Sequence, residues 1–200
     1  MKNILTLVLV ILFAGCGRAT DVPLDVKQSY LKFTGHAFLH DFDGEAKQFS
    51  GTATLEAASP KIVTRARIEI QSAKMTTFES TRDQNMFKWL GVEANPIISF
   101  QLKSVKLVKG DSVHATKDHP AEFMVTGDFT LNKISKPLEA QALGWYEGRF
   151  LIVTGNTKID TVEHGLPIIR QLFMTVGKDV DVAFHLVFEL PTDFTPLGSH

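Results

Sequence analysis

The sequence predicts an all-β chain: an antiparallel sheet, curled into a barrel or folded as a two-sheet sandwich, with one helical excursion. Three observations predict it. Apolar and polar residues alternate strictly over several segments, as in strands with one dry and one wet face. Only one stretch has clear helical spacing. The 200 residues include 15 Phe but only two Tyr and two Trp. Phe has no polar group to satisfy, so this bias predicts a large dry interior, either a packed core or an apolar pocket.

The amino-terminal residues are set apart. Met1-Lys2-Asn3 is a positive start, Ile4 to Phe13 is apolar except for Thr6, and Ala14 and Gly15 precede the sole cysteine, Cys16. This is the pattern of a secretory signal, and the apolar run is shorter than the roughly 20 residues that span a bilayer. Phe13-Ala14-Gly15-Cys16 resembles the lipobox of bacterial lipoproteins. That resemblance implies cleavage before Cys16, a diacylated thiol and an acylated new amino terminus. Gly17 in the next position implies sorting to the outer membrane, with the domain facing the periplasm. The expected organisation is a signal over 1–15, a lipidated tether over 16–27, the domain over 28–191 and a tail over 192–200.

Eight strands are expected in order: Ser29 to Thr34, Gly51 to Glu56, Arg65 to Gln71, Ile98 to Leu102, Glu122 to Asn132, Ile134 to Ala142, Phe150 to Lys158 and Val180 to Leu190. The pattern is cleanest in the fifth, where Phe123, Val125, Phe129 and Leu131 share a face, and in the last, where Val180, Val182, Phe184, Leu186, Phe188 and Leu190 do. Phe78 to Leu90 is expected as a helix, capped by Ser80 or Thr81, stopped by Gly91 and barred from continuing by Pro96. A second short helical or turn segment is expected near Pro167 to Met174. Eight strands with one helix are a barrel or sandwich signature. A barrel of that size either fills with side chains or holds one small ligand.

Composition and motifs exclude several classes. The formal charge of −1, with acids and bases interspersed, leaves no nucleic-acid footprint. A single cysteine near the amino terminus excludes a disulfide framework and a thiolate metal site in the domain. Neither a Gly-x-Ser-x-Gly elbow nor a phosphate loop nor His-Glu-x-x-His is present, so no enzymatic activity and no catalytic or metal residue is expected. His36, His40, Asp41 and Asp43 are the best metal candidates. On one strand His36 and His40 would lie about 13 Å apart, at about 3.3 Å per residue, so they converge only through a turn at Gly35 or Gly44. His114 and His119 read as loop residues and His164 as a turn residue. Arg82-Asp83, near the start of a helix striped with Met86 and Trp89, reads either as a polar pair at a pocket mouth or as an Asp favoured by the helix dipole beside a snorkelling Arg.

Several segments carry a family resemblance. Thr81-Arg82-Asp83-Gln84-Asn85-Met86, Asn95-Pro96-Ile97-Ile98-Ser99-Phe100, Gly127-Asp128-Phe129-Thr130-Leu131-Asn132 and Ile134-Ser135-Lys136-Pro137-Leu138 occur in that order. Together with Phe49-Ser50-Gly51-Thr52-Ala53, Asp160 and Gly165, they resemble the YceI family of bacterial periplasmic and secreted proteins, from about Ser29 to Leu190. The resemblance implies an extended antiparallel lipocalin-like β-barrel of about eight strands with a helix packed across it. It also implies a long apolar ligand, a polyisoprenoid, isoprenoid quinone or fatty-acid-like lipid, with no other cofactor. The expected wall is Phe33, Ile68, Phe100, Phe129 and Phe184, the expected lid Met86 and Trp89, and the expected mouth Arg82 and Asp83. The chain is thus expected to be a non-enzymatic carrier tethered to the membrane through Cys16, with an edge strand open to homodimerisation. Two alternatives stand beside it: an envelope-stress, metal or redox accessory using His36 and His40, or a filled-core barrel that binds proteins.

Overall fold

Alternation of the expected kind produces one curled antiparallel sheet in the computed structural model, which describes residues 19–55, 63–171 and 174–192. Eight strands are seven or more residues long: β2 (Tyr30–Ala37), β4 (Phe49–Leu55), β5 (Val63–Gln71), β7 (Ile97–Lys109), β8 (Ala121–Leu131), β9 (Ile134–Glu147), β10 (Phe150–Asp160) and β12 (Met174–Glu189). Four short ones are interleaved: β1 (Thr20–Pro23), β3 (Phe42–Ala46), β6 (Met75–Thr76) and β11 (Arg170–Gln171). The main path is β1-β4-β5-β7-β8-β9-β10-β12-β2-β3-β6, with β11 paired to β12.

Backbone hydrogen bonds close this path. At one seam, Leu24 follows β1 and donates its N–H to Gly51 O at 2.9 Å, while forming an antiparallel bridge with Phe188 on β12. At the other, β3 runs into β4, and β5 runs into β6 through a single 3₁₀ turn, Ser72–Lys74. The bonds Lys47 N–H to Lys74 O (2.8 Å) and Gln71 N–H to Gln48 O (3.1 Å) keep that ladder continuous across the bend. A sheet closed in this way leaves few free edges.

The one α-helix among the described residues, α1 (Ser80–Leu90), has its cap one residue before the earlier of the two expected ones. Glu79 is the N-cap, and its carboxylate accepts from Thr81 N–H at 2.9 Å and Arg82 N–H at 2.6 Å. Its longer side chain does what an N-cap Ser or Thr would do. Gly91 ends the helix in the left-handed region (φ 60°), and its N–H and that of Val92 return to Lys88 O and Phe87 O. Met86 and Leu90 are buried against Ile98, Phe129, Leu131 and Ile159, so the helix closes one end of the barrel.

Two expectations are corrected. Residues 20–25 are not tether but part of the barrel: Val22 and Leu24 are buried beside Ala53, Leu55 and Phe188 in the seam core. Pro23 is tolerated because β1 pairs with β4 alone. Near Pro167 neither helix nor turn forms among the described residues: a turn at Thr161–Gly165 precedes, 166–169 carry no regular structure and Arg170–Gln171 is β11, while residues 172–173 lie outside the described residues. His164 is buried in the turn, its Nδ1 2.9 Å from Ile134 O and its ring edge-on to Phe129. Cys16 and the signal lie outside the described residues.

Candidate functional site

The interior is hollow, although it is built from large side chains. Two adjoining chambers run along the barrel. A deep one of about 440 Å³ is lined in part by Ala53 of β4 and Val63 and Ala66 of β5. An outer one of about 760 Å³ lies under α1. Leu31, Ile70, Phe129, Ile159 and Val182 line both and form a waist between them. Each volume falls in the range of small-molecule sites.

The lumen stays open because phenylalanine rings lie flat against glycines on the neighbouring strand. A β-carbon on Gly44 would meet the Phe33 ring at 2.2 Å, one on Gly127 the Phe100 ring at 2.4 Å, and one on Gly155 the Phe184 ring at 2.7 Å. Phe33 is the direct cross-strand partner of Gly44, and Phe184 of Gly155. Each ring covers its glycine as in aromatic rescue and so lies along the wall instead of filling the lumen. Period-2 spacing places these Phe residues inside; whether they fill the interior depends on the glycines opposite, which spacing within one strand does not reveal.

Eight of the nine expected ligand-contacting residues line the chambers. Ile68, Phe100 and Phe184 line the deep one, Phe33, Arg82, Met86 and Trp89 the outer one, and Phe129 both. Asp83 does not. Its carboxylate accepts from Thr76 Oγ1 (2.7 Å), Thr77 N–H (2.6 Å) and Thr77 Oγ1 (2.6 Å). Partial burial opposes its ionisation, but these hydrogen bonds and the adjacent Arg82 hold its pKa below the usual aspartate value. Asp83 therefore fixes the Thr76–Phe78 segment at the foot of α1. Asp83→Ala should cost about 2 kcal/mol and free that segment, measured by urea denaturation and by loss of amide protection at Thr77. The sign with pH follows from the lowered pKa: the contribution is present above the usual aspartate pKa and is lost as pH falls through the depressed one.

The outer chamber opens through a ring of contacts. Trp89 Nε1–H donates to Pro167 O at 2.7 Å, joining α1 to the 166–170 segment. Val176 N–H bonds Ile169 O at 3.0 Å, joining that segment to β12, and Phe38 N–H bonds Thr175 O at 3.0 Å, joining β12 to the β2–β3 loop. The Arg82 guanidinium lies 5.0 Å over the Phe42 ring, which returns the ring to α1. Arg82 Nη2 donates to Thr77 O at 2.7 Å, while its buried Nε has no hydrogen-bond partner among the described residues. Helical spacing points to Arg82, and Lys88 shares its helix; His40 and Arg170 on the same lining come from a loop and a separate short strand and leave no local signature.

His36 is a clasp on this ring. Its Nδ1 is 3.0 Å from Asp41 Oδ2 and its Nε2 is 2.8 Å from Asp181 Oδ2. Carboxylates facing both nitrogens favour the imidazolium form, and no group of three or more metal-ligating side chains forms among the described residues. Hydrogen bonding to Asp181, then to Asp41, raises the His36 pKa above its ordinary value. Its contribution is thus fully present below the ordinary imidazole pKa and is lost as pH rises through the raised one. Amide protection factors at Phe38–Asp41 should fall over that window, and His36→Gln should abolish the dependence.

The YceI-like domain model matches residues 23–188. A UPF0312 protein of Pseudomonas savastanoi pv. phaseolicola is 28% identical over 147 residues, covering 70% of this chain and 69% of the relative. Among solved structures, Burkholderia cenocepacia BcnA superposes with a TM-score of 0.68 at 16% identity, over 82% of this chain and 98% of the other. A polyisoprenoid-binding domain from Saccharophagus degradans, implicated in plant cell wall breakdown, gives 0.65 at 14% identity, over 85% and 98%. The likeness to these two structures is one of fold.

Proposed function

The chain belongs to the YceI-like domain family, and from that membership and the shape of its lumen we propose that it is a non-enzymatic carrier of one long apolar molecule, a polyisoprenoid, isoprenoid quinone or fatty-acid-like lipid. The observation that carries this reading is the pair of adjoining apolar chambers, kept open by Phe rings lying against glycines. A tail threaded through the waist would gain about 0.8 kcal/mol for each buried methylene before the costs of association. Arg82, with its unpartnered buried Nε at the mouth, supplies a donor to a polar head and so sets the direction in which the tail enters. The polyisoprenoid ligand of the S. degradans domain supports the ligand class.

The proposal includes export to the bacterial envelope and a lipid anchor at Cys16, on the outer membrane facing the periplasm. Anchoring by two or more acyl chains is stable where one is marginal. Only three residues separate Cys16 from Thr20. Thr20 pairs with Leu55 at the deep-chamber end, away from α1. The anchor would thus hold the end of the barrel opposite the mouth. Cys16→Ser should release the protein from membranes without altering ligand affinity.

Titration with a conjugated-polyene fatty acid, whose emission rises when it leaves water, tests the carrier reading. The expected result is saturation at one probe per chain and displacement by a long isoprenoid alcohol. Absence of saturable binding would contradict it.

A further inference from the structure

The wall of the deep chamber is incomplete on one side. β5 and β7 are laddered from Gln71 with Ile97 to Arg67 with Gln101, and no further among the described residues. Past Gln101, β7 runs on to Lys109 paired with β8 alone. On the other strand, Val63, Arg65 and Ala66 pair with β4 alone. Two strands that are neighbours under α1 therefore part company at the deep end.

The divergence has a local cause. Each strand carries an extra residue just beyond the last shared pair. On β7, Leu102 and Ser104 oppose the consecutive residues Gly127 and Thr126, so Lys103 is extra. On β5, Val63 and Arg65 oppose the consecutive residues Leu55 and Thr54, so Thr64 is extra. A bulge bends its strand and increases the local twist. One on each of two neighbours turns them apart. The opening between them has Val63 and Ala66 on its β5 lip and Leu102, Val105 and Leu107 on its β7 lip, and all five line the deep chamber.

Burial follows the same outline. Among the described residues that line the deep chamber, Leu107 alone is exposed, at 44%, and Val63, Ala66 and Val105 are only partly buried. Apolar surface left wet at the end of an apolar chamber forgoes the gain of burial, and a hydrocarbon lying across it restores that gain. The distance suits a long tail. Ile98, which lines the outer chamber under α1, and Leu107 lie about 30 Å apart along β7, at about 3.3 Å per residue. A tail longer than that, held by its head at Arg82, reaches the opening.

We propose that the deep chamber opens sideways between β5 and β7, and that the far end of a long tail leaves the barrel through this slot. The site then takes polyisoprenoid chains longer than the lumen and sets a minimum length but no maximum. A segment that has emerged is as wet bound as free, so it neither adds to binding nor subtracts from it. This inference rests on the carrier reading and extends it, since that reading requires only a hollow barrel, whether shut or open at its far end. Thr20 stands opposite Leu55, and Leu55 opposite Val63. An anchor at Cys16 would therefore hold the slot, and the emerging tail with it, at the membrane.

The test uses the full chain carrying Cys16→Ser, so that each introduced cysteine is the sole thiol. Leu107→Cys and Ala66→Cys report the two lips. Val108→Cys is the control, at a position 60% exposed and turned to the outer face of the same strand. Each protein is loaded from cyclodextrin with farnesol, shorter than the lumen, or solanesol, longer than it. Occupancy is read by native mass spectrometry, and alkylation by a polar maleimide is timed. Because alkylation follows exposure of the thiol, solanesol is expected to slow it about fivefold or more at both lips, and farnesol to leave both within about twofold of the empty protein. Neither alcohol should change the rate at the control. Solanesol-loaded protein whose lips react at the unliganded rate overturns the proposal and leaves the carrier reading standing. Slowing at Leu107→Cys without slowing at Ala66→Cys overturns passage between the two strands. Equal slowing by farnesol overturns the length argument. If neither alcohol binds, the carrier reading fails and this inference falls with it.

Discussion

Val182→Trp is expected to empty the deep chamber while leaving the barrel folded. Val182 lines both chambers and sits at the waist, cross-strand from Phe33 and Thr157. Its side chain is only partly buried, so an indole can extend into lumen space instead of into packed neighbours. Excluding four methylenes of a tail from the deep chamber would remove about 3 kcal/mol of binding, or more than about 100-fold in affinity. The cost to folding should stay at the low end of the roughly 1–3 kcal/mol seen for enlarged core residues. Probe titration and thermal unfolding of the same sample separate the two effects. Unchanged affinity in the folded variant would mean that the tail does not pass the waist.

The largest expected effect on stability belongs to Gly155→Ala. A β-carbon there would sit 2.2 Å from the Gln141 backbone oxygen, 2.7 Å from the Phe184 ring and 3.0 Å from Ala142 Cα. The ring could swing into the lumen, but the Gln141 carbonyl belongs to the β9–β10 ladder and cannot move without breaking it. A loss of about 3 kcal/mol or more is expected, together with weaker probe binding as Phe184 is pushed off the wall. Gly148 is the contrast: its φ, unlike that of Gly155, is positive, at +59°, but a β-carbon meets nothing within 4 Å. Gly148→Ala should cost only about 1 kcal/mol, the ordinary penalty of the left-handed conformation. Equal midpoints for the two variants in urea would contradict the role given to the glycine-backed wall.

These two glycines also mark what the sequence could convey. Strict alternation located β5, β7, β8 and β12, because a half-buried strand must alternate and the signal accumulates over many residues, while β2, β4, β9 and β10 showed only a weaker pattern. It placed Phe100, Phe129 and Phe184 inside for the same reason. It missed β3, β6 and β11, of five, two and two residues, since so short a run has no period to detect. Val22 and Leu24 were read as tether, because one buried residue on either side of Pro23 looks like composition and not pattern. Gly155 and Phe184 are far apart in the chain and meet only through strand register, so the difference between a filled and an open barrel was invisible within any one segment. Resemblance to a family, and not periodicity, tipped the expectation toward an open lumen. Asp83 is the converse case. Its position near the helix start was legible, but its three hydrogen bonds to Thr76 and Thr77 turn a mouth candidate into a brace for the rim that carries Phe78.

The central claim is that the lumen holds one long apolar molecule. Native mass spectrometry of the chain, purified without detergent from bacterial envelopes and followed by solvent extraction, tests it most directly. The account predicts one added mass per chain that leaves on extraction as a long-chain isoprenoid or fatty-acid-like lipid and is lost in Val182→Trp. A folded protein that carries no such molecule and takes up none when offered envelope lipids would contradict it.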